Sequence, residues 1–246
     1  MLIGRSVRWY NDFYEEVAFS KENGFDFIQI WFKDGNILIN SLPDPKEEYI
    51  KACRFPVIIH AVFDPLDFDL YGDDLLQLLK FLNHKEVIIH PVCKRDPVSQ
   101  DIEMLLADKI KLFSHKAKRQ GIVYYLENNS IMDGFHCKKE ELQIVFNNDD
   151  YVEQLLDVAH VDSYDHLTQV ISSKFPKCLH VAGKHFSIPH EHLPITQGDI
   201  DYKLVFRKYL QGFDGRIILE VDGSDDEIIA SKRIIDEAIR YAKNPL

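Results

Sequence analysis

The sequence predicts a closed (β/α)8 barrel, and three observations predict it. Apolar runs of strand length alternate with amphipathic stretches of helical period from one end of the chain to the other, about eight of each. The 246 residues, 46% hydrophobic and 12% aromatic, match the size of one such barrel and can bury its core. Six of the apolar runs end on carboxylates or histidines: FPVIIH at His60, EVIIH at His90, IVYYLE at Glu127, YVEQLLDVAH at Asp157 and His160, KCLH at His180 and RIILE at Glu220. A parallel barrel gathers the C-terminal ends of its strands on one face, so side chains scattered through the sequence meet there.

The elements follow in order. A first strand is expected at residues 2–7, then a helix over 12–22 that Asn23-Gly24 ends before the apolar run 25–31. Residues 45–53 read as a helix leading into the strand 55–60, and 73–82 as an amphipathic helix leading into 87–90. A longer helix, 101–119, stops at Gly121 ahead of the strand 122–127, and a helix over 138–146 precedes the strand 152–157. Residues 167–173 lead into 177–181, 200–210 into 216–221, and 226–242 closes the chain. No linker or low-complexity tract divides this alternation, so one domain over residues 1–246 is expected. The longest irregular stretch, 182–199, carries Pro189, Pro194 and Gly198 and is a candidate lid or substrate loop.

Composition narrows the function. With 29 basic against 40 acidic residues the net charge is −11, which disfavours coating nucleic acid. The segments AVFDPLDFDLYGDD and DVAHVDSYDH, expected at the barrel mouth, are acidic and would repel a DNA backbone. Cys53, Cys93, Cys137 and Cys178 form no CxxC pair, so reduced thiols are expected rather than a disulfide framework. The opening MLIGRSVRWYNDFYEE has polar residues where a signal peptide needs an apolar core, and no stretch is long enough to span a bilayer. A cytoplasmic protein with a small-molecule substrate and no membrane partner is expected; the oligomeric state is left open.

Glu127, Asp157, His180 and Glu220 offer the mixed oxygen and nitrogen donors that suit a divalent ion, zinc or manganese foremost. Any one strand-end carboxylate is commonly just a loop-initiating or capping residue; four together point to an ion site. His60 and His90 each close a VIIH run, where a lone histidine is usually a core residue, but neighbouring strands could turn the two imidazoles toward one ion. His160, three residues after Asp157, is a candidate for the metal or for a substrate hydroxyl. His190 and His192 form an HxH that would project both imidazoles to one side of an extended segment. Lys184 and His185 are candidates for substrate contact, and Lys184 and Arg95 for a phosphate. His84, His115 and His166 fall on expected helices and read as surface groups.

Taken in order, ENGFDFIQIWF, VIIHAV, VIIHPV, YYLENNS, LLDVAH, CLHVAGKH, HEHLPITQGDID and GRIILE resemble the xylose isomerase-like TIM-barrel superfamily over nearly the whole chain. That superfamily holds sugar and sugar-phosphate isomerases and epimerases together with AP endonucleases of the endonuclease IV type. The resemblance implies that Glu127, Asp157, His180 and Glu220 bind a shared metal, and, in the epimerase branch, that Glu127 and Glu220 are the paired acid and base. It also implies that His60, His90, His160 and His192 match positions completing a three-metal cluster in the endonuclease branch, with His190 where that branch has an aspartate. Gln29 stands where many isomerase relatives carry a glutamate. DVAH and HEH do not meet the endonuclease signatures Asp-Thr-Cys-His and Asp-Arg-His. Two expectations follow, with one to three ions between them: an isomerase or epimerase moving a proton through an enediolate of a sugar-like compound, or a metal-dependent phosphodiesterase resembling AP endonucleases.

Overall fold

Runs of β-branched, aromatic and leucine residues favour the half-extended, pleated backbone of a strand. In the computed structural model, which describes residues 1–188 and 190–243 and so leaves Pro189 of the long loop outside, those runs form nine strands among the described residues. They are β1 (Leu2–Ser6), β2 (Phe27–Lys33), β3 (Asn36–Ile37), β4 (Val57–Phe63), β5 (Glu86–Pro91), β6 (Val123–Glu127), β7 (Glu153–Asp157), β8 (Cys178–Val181) and β9 (Arg216–Leu219). Eight are parallel, each pairing with the next, and the sheet closes because Gly4 of β1 lies opposite both Phe27 of β2 and Ile218 of β9. Only β3 is antiparallel, a two-residue return on the end of β2.

The helices lie between successive strands: α1 (Phe13–Glu22), α2 (Lys46–Ala52), α3 (Asp67–Leu82), α4 (Gln100–Arg119), α5 (Lys139–Asn148), α6 (Tyr164–Ser173), α7 (Tyr202–Leu204, continuing as a π-helical turn over Val205–Tyr209) and α8 (Asp225–Lys243). Their starts are set by side chains that accept the orphan backbone N–H groups of a first turn: Asp12 for α1, Ser99 for α4, Ser163 for α6 and Asp201 for α7. The eight-strand barrel read from the sequence is therefore present, with element ends displaced by a few residues.

One displacement alters the expected mouth. Helix α3 starts at Asp67 rather than at residue 73, so most of AVFDPLDFDLYGDD is strand or helix and not open loop. The buried Asp64 accepts the backbone N–H groups of Leu66, Lys94 and Arg95, while Asp67 caps the Asp64 N–H. Arg95 pairs with both carboxylates. Asp64 and Asp67 are therefore bound within the protein, while Asp69, Asp73 and Asp74 lie exposed on α3.

Strand alternation sorts the side chains into layers. Inside the barrel, Phe27, Ile58, Ile88, Tyr125, Leu155, Cys178 and Ile218 form one apolar cluster. Two residues further along the same seven strand paths, on the same inward face, come Gln29, His60, His90, Glu127, Asp157, His180 and Glu220. The apolar layer is the floor of the polar one. On β1 the matching inward position is Gly4, and a Cβ built there would lie 2.3 Å from the Phe27 ring, so the phenyl group occupies the space a side chain would need. Gly4→Ala is expected to cost about 1–3 kcal/mol through overpacking, lowering the melting temperature by about 2–4 °C per kcal/mol in a chain of this size. Thermal denaturation followed by circular dichroism checks this.

The opposite face of β1 is held differently. Arg5, 1% exposed, points outward between barrel and helix α1, where its guanidinium pairs with Glu16 and lies 4.9 Å from the Phe19 ring centroid. Glu16 also receives the Nε–H of Arg8 at 2.8 Å, which ties the loop after β1 to the outer helix. Burial works to raise the Glu16 carboxyl, but the Arg5 charge and the Arg8 hydrogen bonds outweigh it and hold it below its ordinary value.

Candidate active site

The polar layer converges on His180. Its Nδ1 lies 3.1 Å from Glu127 Oε1, 3.0 Å from Glu220 Oε2 and 3.7 Å from Asp157 Oδ2. One donor atom from each of these four residues falls within 4.8 Å of the others. Glu127, Asp157 and His180 are fully buried, and Glu220 is 9% exposed toward a cavity. Three carboxylates so close in a dry interior are tolerable only with positive charge among them. Burial works to raise Glu127, yet the His90, His180 and His60 imidazoles hold it well below the usual carboxylate range. Asp157 and Glu220 are likewise lowered against the effect of burial, by His160 and His192 and by His180 respectively. Conversely, burial works to lower His180, but Glu220 and Glu127 raise it well above its ordinary value.

Gln29 organises this cluster. A carboxylate can only accept hydrogen bonds, so the Gln29 Nε2–H, 3.1 Å from Glu220 Oε1, must donate to it. Gln29 Oε1 then accepts from His180 Nε2–H at 2.8 Å, which leaves Nδ1 of His180 as the nitrogen directed at the three carboxylates. The same amide nitrogen is 3.3 Å from His60 Nδ1, so that atom accepts, and the His60 Nε2–H donates to Glu127 Oε2 at 2.8 Å. Burial lowers the His60 pKa, in keeping with a neutral ring. His60 thus orients the Glu127 carboxylate. Gln29→Ala removes these fixings, and affinity for a divalent ion is expected to fall about 10–100-fold, measurable by competition with a chelating dye.

A second group lies beside the first. His160 Nδ1 donates to the Asn128 carbonyl at 2.8 Å and His192 Nδ1 to the Glu220 carbonyl at 3.0 Å. Both rings consequently turn Nε2 inward, and the two Nε2 atoms face each other at 3.3 Å. Asp157 Oδ2, 3.4 Å and 3.8 Å from them, is buried without a hydrogen-bond partner. His190 completes this group, its ring 5.1 Å from that of His192, so the HxH does project to one side. His90 Nδ1 is 3.2 Å from Glu127 Oε2 but out of line for a hydrogen bond. Burial opposes the Glu127 charge at His90, and the charge prevails, raising its pKa.

Above these groups opens a cavity of about 280 Å³, lined by Val7, Trp9, Tyr10 and Trp31 on one side and His90, His160, His190, His192 and Glu220 on the other. The remaining sequence candidates lie elsewhere. Lys184 is buried with its Nζ donating to the Val161 carbonyl at 2.7 Å, and His185 pairs with Glu191 at 3.1 Å; neither lines the cavity. Arg95 is engaged by Asp64 and Asp67. His166, read as a surface group, is 7% exposed and bonds the Cys137 carbonyl through Nε2, because α6 turns it against the loop before α5. Trp31 and the loop residues Trp9 and Tyr10 were not among the expected site residues, and Gln29 was marked only as standing where relatives carry a glutamate. A polar side chain at an inward position between Ile28 and Ile30 was the available signal for Gln29.

The donor set fits a divalent ion. Asp157 has a buried carboxylate oxygen with no partner, and three carboxylates share one imidazole nitrogen, a combination of hard oxygen and borderline nitrogen donors that Mn²⁺ and Zn²⁺ both accept. Among the described residues no helix is long and apolar enough to cross a membrane.

No curated protein matches the sequence. Among solved structures, the fold is similar to that of a D-tagatose 3-epimerase-like protein (TM-score 0.79, 18% identity, 99% of this chain and 98% of that chain covered). It is also similar to D-psicose 3-epimerase with D-tagatose from Clostridium cellulolyticum H10 (TM-score 0.71, 14% identity, 99% and 98% covered). A third similar structure is the IOLI protein with a binding zinc atom (TM-score 0.69, 17% identity, 99% and 95% covered). The family model described as xylose isomerase-like TIM barrel matches residues 17–244, and with nearly the whole chain spanned, this protein belongs to the xylose isomerase-like TIM barrel family.

Proposed function

We propose that the chain is a divalent-metal-dependent isomerase or epimerase that moves a proton on the carbon beside the carbonyl of a small sugar or related keto or hydroxy compound. The observation that carries this reading is the approach of Glu127 and Glu220, from the fifth and eighth strands of the barrel, to 3.1 and 3.0 Å from His180 Nδ1. A divalent ion held by Glu127, Asp157, His180 and Glu220 would polarise a substrate carbonyl. One glutamate takes the proton from the adjacent carbon, the electron pair moves onto the carbonyl to give an enediolate, and the other carboxylate, after taking up a proton from solvent, returns it to that carbon while the first releases its own to solvent. Gln29 and His60 orient the two carboxylates, and the apolar layer below keeps water from entering through the barrel. The similar structures described as a D-tagatose 3-epimerase-like protein and a D-psicose 3-epimerase, and the zinc atom of the IOLI protein, support the same reading.

A second reading rests on the facing Nε2 atoms of His160 and His192 beside the unpartnered Asp157 oxygen, which would suit another cation and a multinuclear phosphodiesterase. Against it, the hydrogen-bond pattern makes His60 a donor to Glu127 rather than a ligand. The two are separated by incubating manganese-loaded and zinc-loaded protein with ketoses in deuterated water, and with an abasic-site duplex. Deuterium entering beside the ketose carbonyl supports proton transfer. Strand cleavage without deuterium incorporation overturns it.

A further inference from the structure

We propose that a groove between α3 and α4, at the end of the barrel away from the carboxylate and histidine cluster, binds a small polyanion carrying adjacent phosphate groups. The chain has a net charge of −11, so a surplus of cations in one place departs from its general character. Asp73, Leu76, Gln77 and Lys80 recur at helical spacing along one face of α3, and Lys116, Arg119 and Gln120 do so at the end of α4. The two faces line a common cavity of about 570 Å³, which His84 and Lys85 also line where the chain turns from α3 into β5.

Four basic side chains, Lys80, Lys85, Lys116 and Arg119, line this groove against one carboxylate, Asp73. Lys116 pairs with Asp73 at 2.6 Å, but both groups are exposed and such a pair is weakly held. Lys85 donates to the Gln120 carbonyl at 3.2 Å, which uses one of its N–H groups and leaves its charge uncompensated. Lys80 and Arg119 have neither a side-chain hydrogen bond nor an ion pair among the described residues. Basic residues in the last turn of a helix also offset its dipole, a role that each helix end fulfils without the other. Here two helix ends and the turn after α3 bring their cations to the same cavity.

The volume is that of a small-molecule site. Two phosphate groups joined through one oxygen carry enough charge and enough acceptor oxygens to engage cations on both walls at once. Leu76 and Ile122, both buried, supply the apolar base of the groove. His84 is half-buried in the same lining, and burial lowers its pKa, so its ring is a neutral donor rather than a further charge. Lys85 directly precedes β5 and Ile122 directly precedes β6, whereas His90 and Glu127 lie at the far ends of those strands. No residue lines both this groove and the cavity at the barrel mouth, so its ligand is independent of the chemistry proposed there.

The test titrates sodium pyrophosphate into the full-length protein by isothermal calorimetry, without added divalent ion, beside inorganic phosphate and sulfate at matched ionic strength. Pyrophosphate is expected to bind about tenfold or more tightly than either single anion, and Lys80→Ala combined with Arg119→Ala to weaken it about tenfold. Lys118→Ala removes an α4 cation that lies over the Tyr151 ring outside the groove, and is expected to leave binding within about twofold of wild type. All three residues are exposed, and circular dichroism checks that the variants fold. Absence of pyrophosphate binding at millimolar concentration, by calorimetry and by thermal shift, overturns the proposal. So does equal weakening by Lys118→Ala, which would reduce the effect to general attraction, and so does binding that survives the double substitution, which would place the anion elsewhere on the chain.

Discussion

Glu220→Gln, assayed at saturating divalent ion, is expected to slow deuterium incorporation into a ketose by about 10²–10⁴-fold, the range associated with losing a positioned acid or base. The amide matches the carboxylate in shape, so the fold and the floor of the site are preserved, but it cannot take or return a proton. It also replaces an acceptor with a donor next to His180 Nδ1, which lies 3.0 Å from Glu220 Oε2 in the native cluster. Glu127→Gln is expected to behave alike, with a larger loss of ion affinity because Glu127 is more deeply buried and is held by His60 and His180. Circular dichroism of the variants excludes unfolding as the cause. Exchange within about threefold of wild type, far below the usual effect of removing a general base, would contradict the assignment of Glu220.

Saturation with Mn²⁺ or Zn²⁺ is expected to raise the melting temperature by about 5–16 °C. An ion that binds only the native state contributes about 2.7–4.1 kcal/mol at 100–1,000 times its dissociation constant, and a domain of this size gains about 2–4 °C per kcal/mol. The physical source is the trio of buried carboxylates, each kept ionised by neighbouring imidazoles although burial disfavours the charge. The pH dependence has a definite sign. Because Glu220 and Glu127 outweigh burial and raise the His180 pKa, the ion competes with a proton on His180, and the thermal shift should grow as pH rises above the ordinary imidazole range. Asp157→Asn, which neutralises the carboxylate with the unpartnered oxygen, should remove most of the shift. An ion-independent melting temperature in the wild type would contradict an ion site at this position.

The strand-end residues were legible because β-structure has a period of two and a parallel barrel brings strand ends together. Glu127, Asp157 and His180 each close or nearly close a buried run, His60 stood out by residue type although β4 continues through Phe63, and each lies two residues beyond a member of the apolar floor. Gln29 has the same position in β2 but lies within FIQIWF, where the run continues past it and no strand end marks it. Its importance comes from three partners, His60, His180 and Glu220, that are distant in sequence and become neighbours only when the barrel closes. The acidic segment after β4 misled for a related reason. Composition registers the charge of Asp64 and Asp67, whereas Arg95 and the backbone N–H groups that engage them come from the next loop and from the turn itself. Lys184 and His166 were similarly placed by chain position, and the packing of neighbouring loops buried both.

The number of divalent ions bound per chain at full occupancy, measured by elemental analysis of dialysed protein loaded with Mn²⁺ or Zn²⁺, tests the central claim most directly. Glu127, Asp157, His180 and Glu220 converge around one nitrogen, with His60 held as a hydrogen-bond donor to Glu127, and the proton-transfer reading predicts one ion there, with the separate group of His160, His190 and His192 left without one. Two or three tightly held ions, drawing in His160, His190 and His192, would contradict the single-ion proton-transfer centre and transfer the assignment to a multinuclear hydrolase.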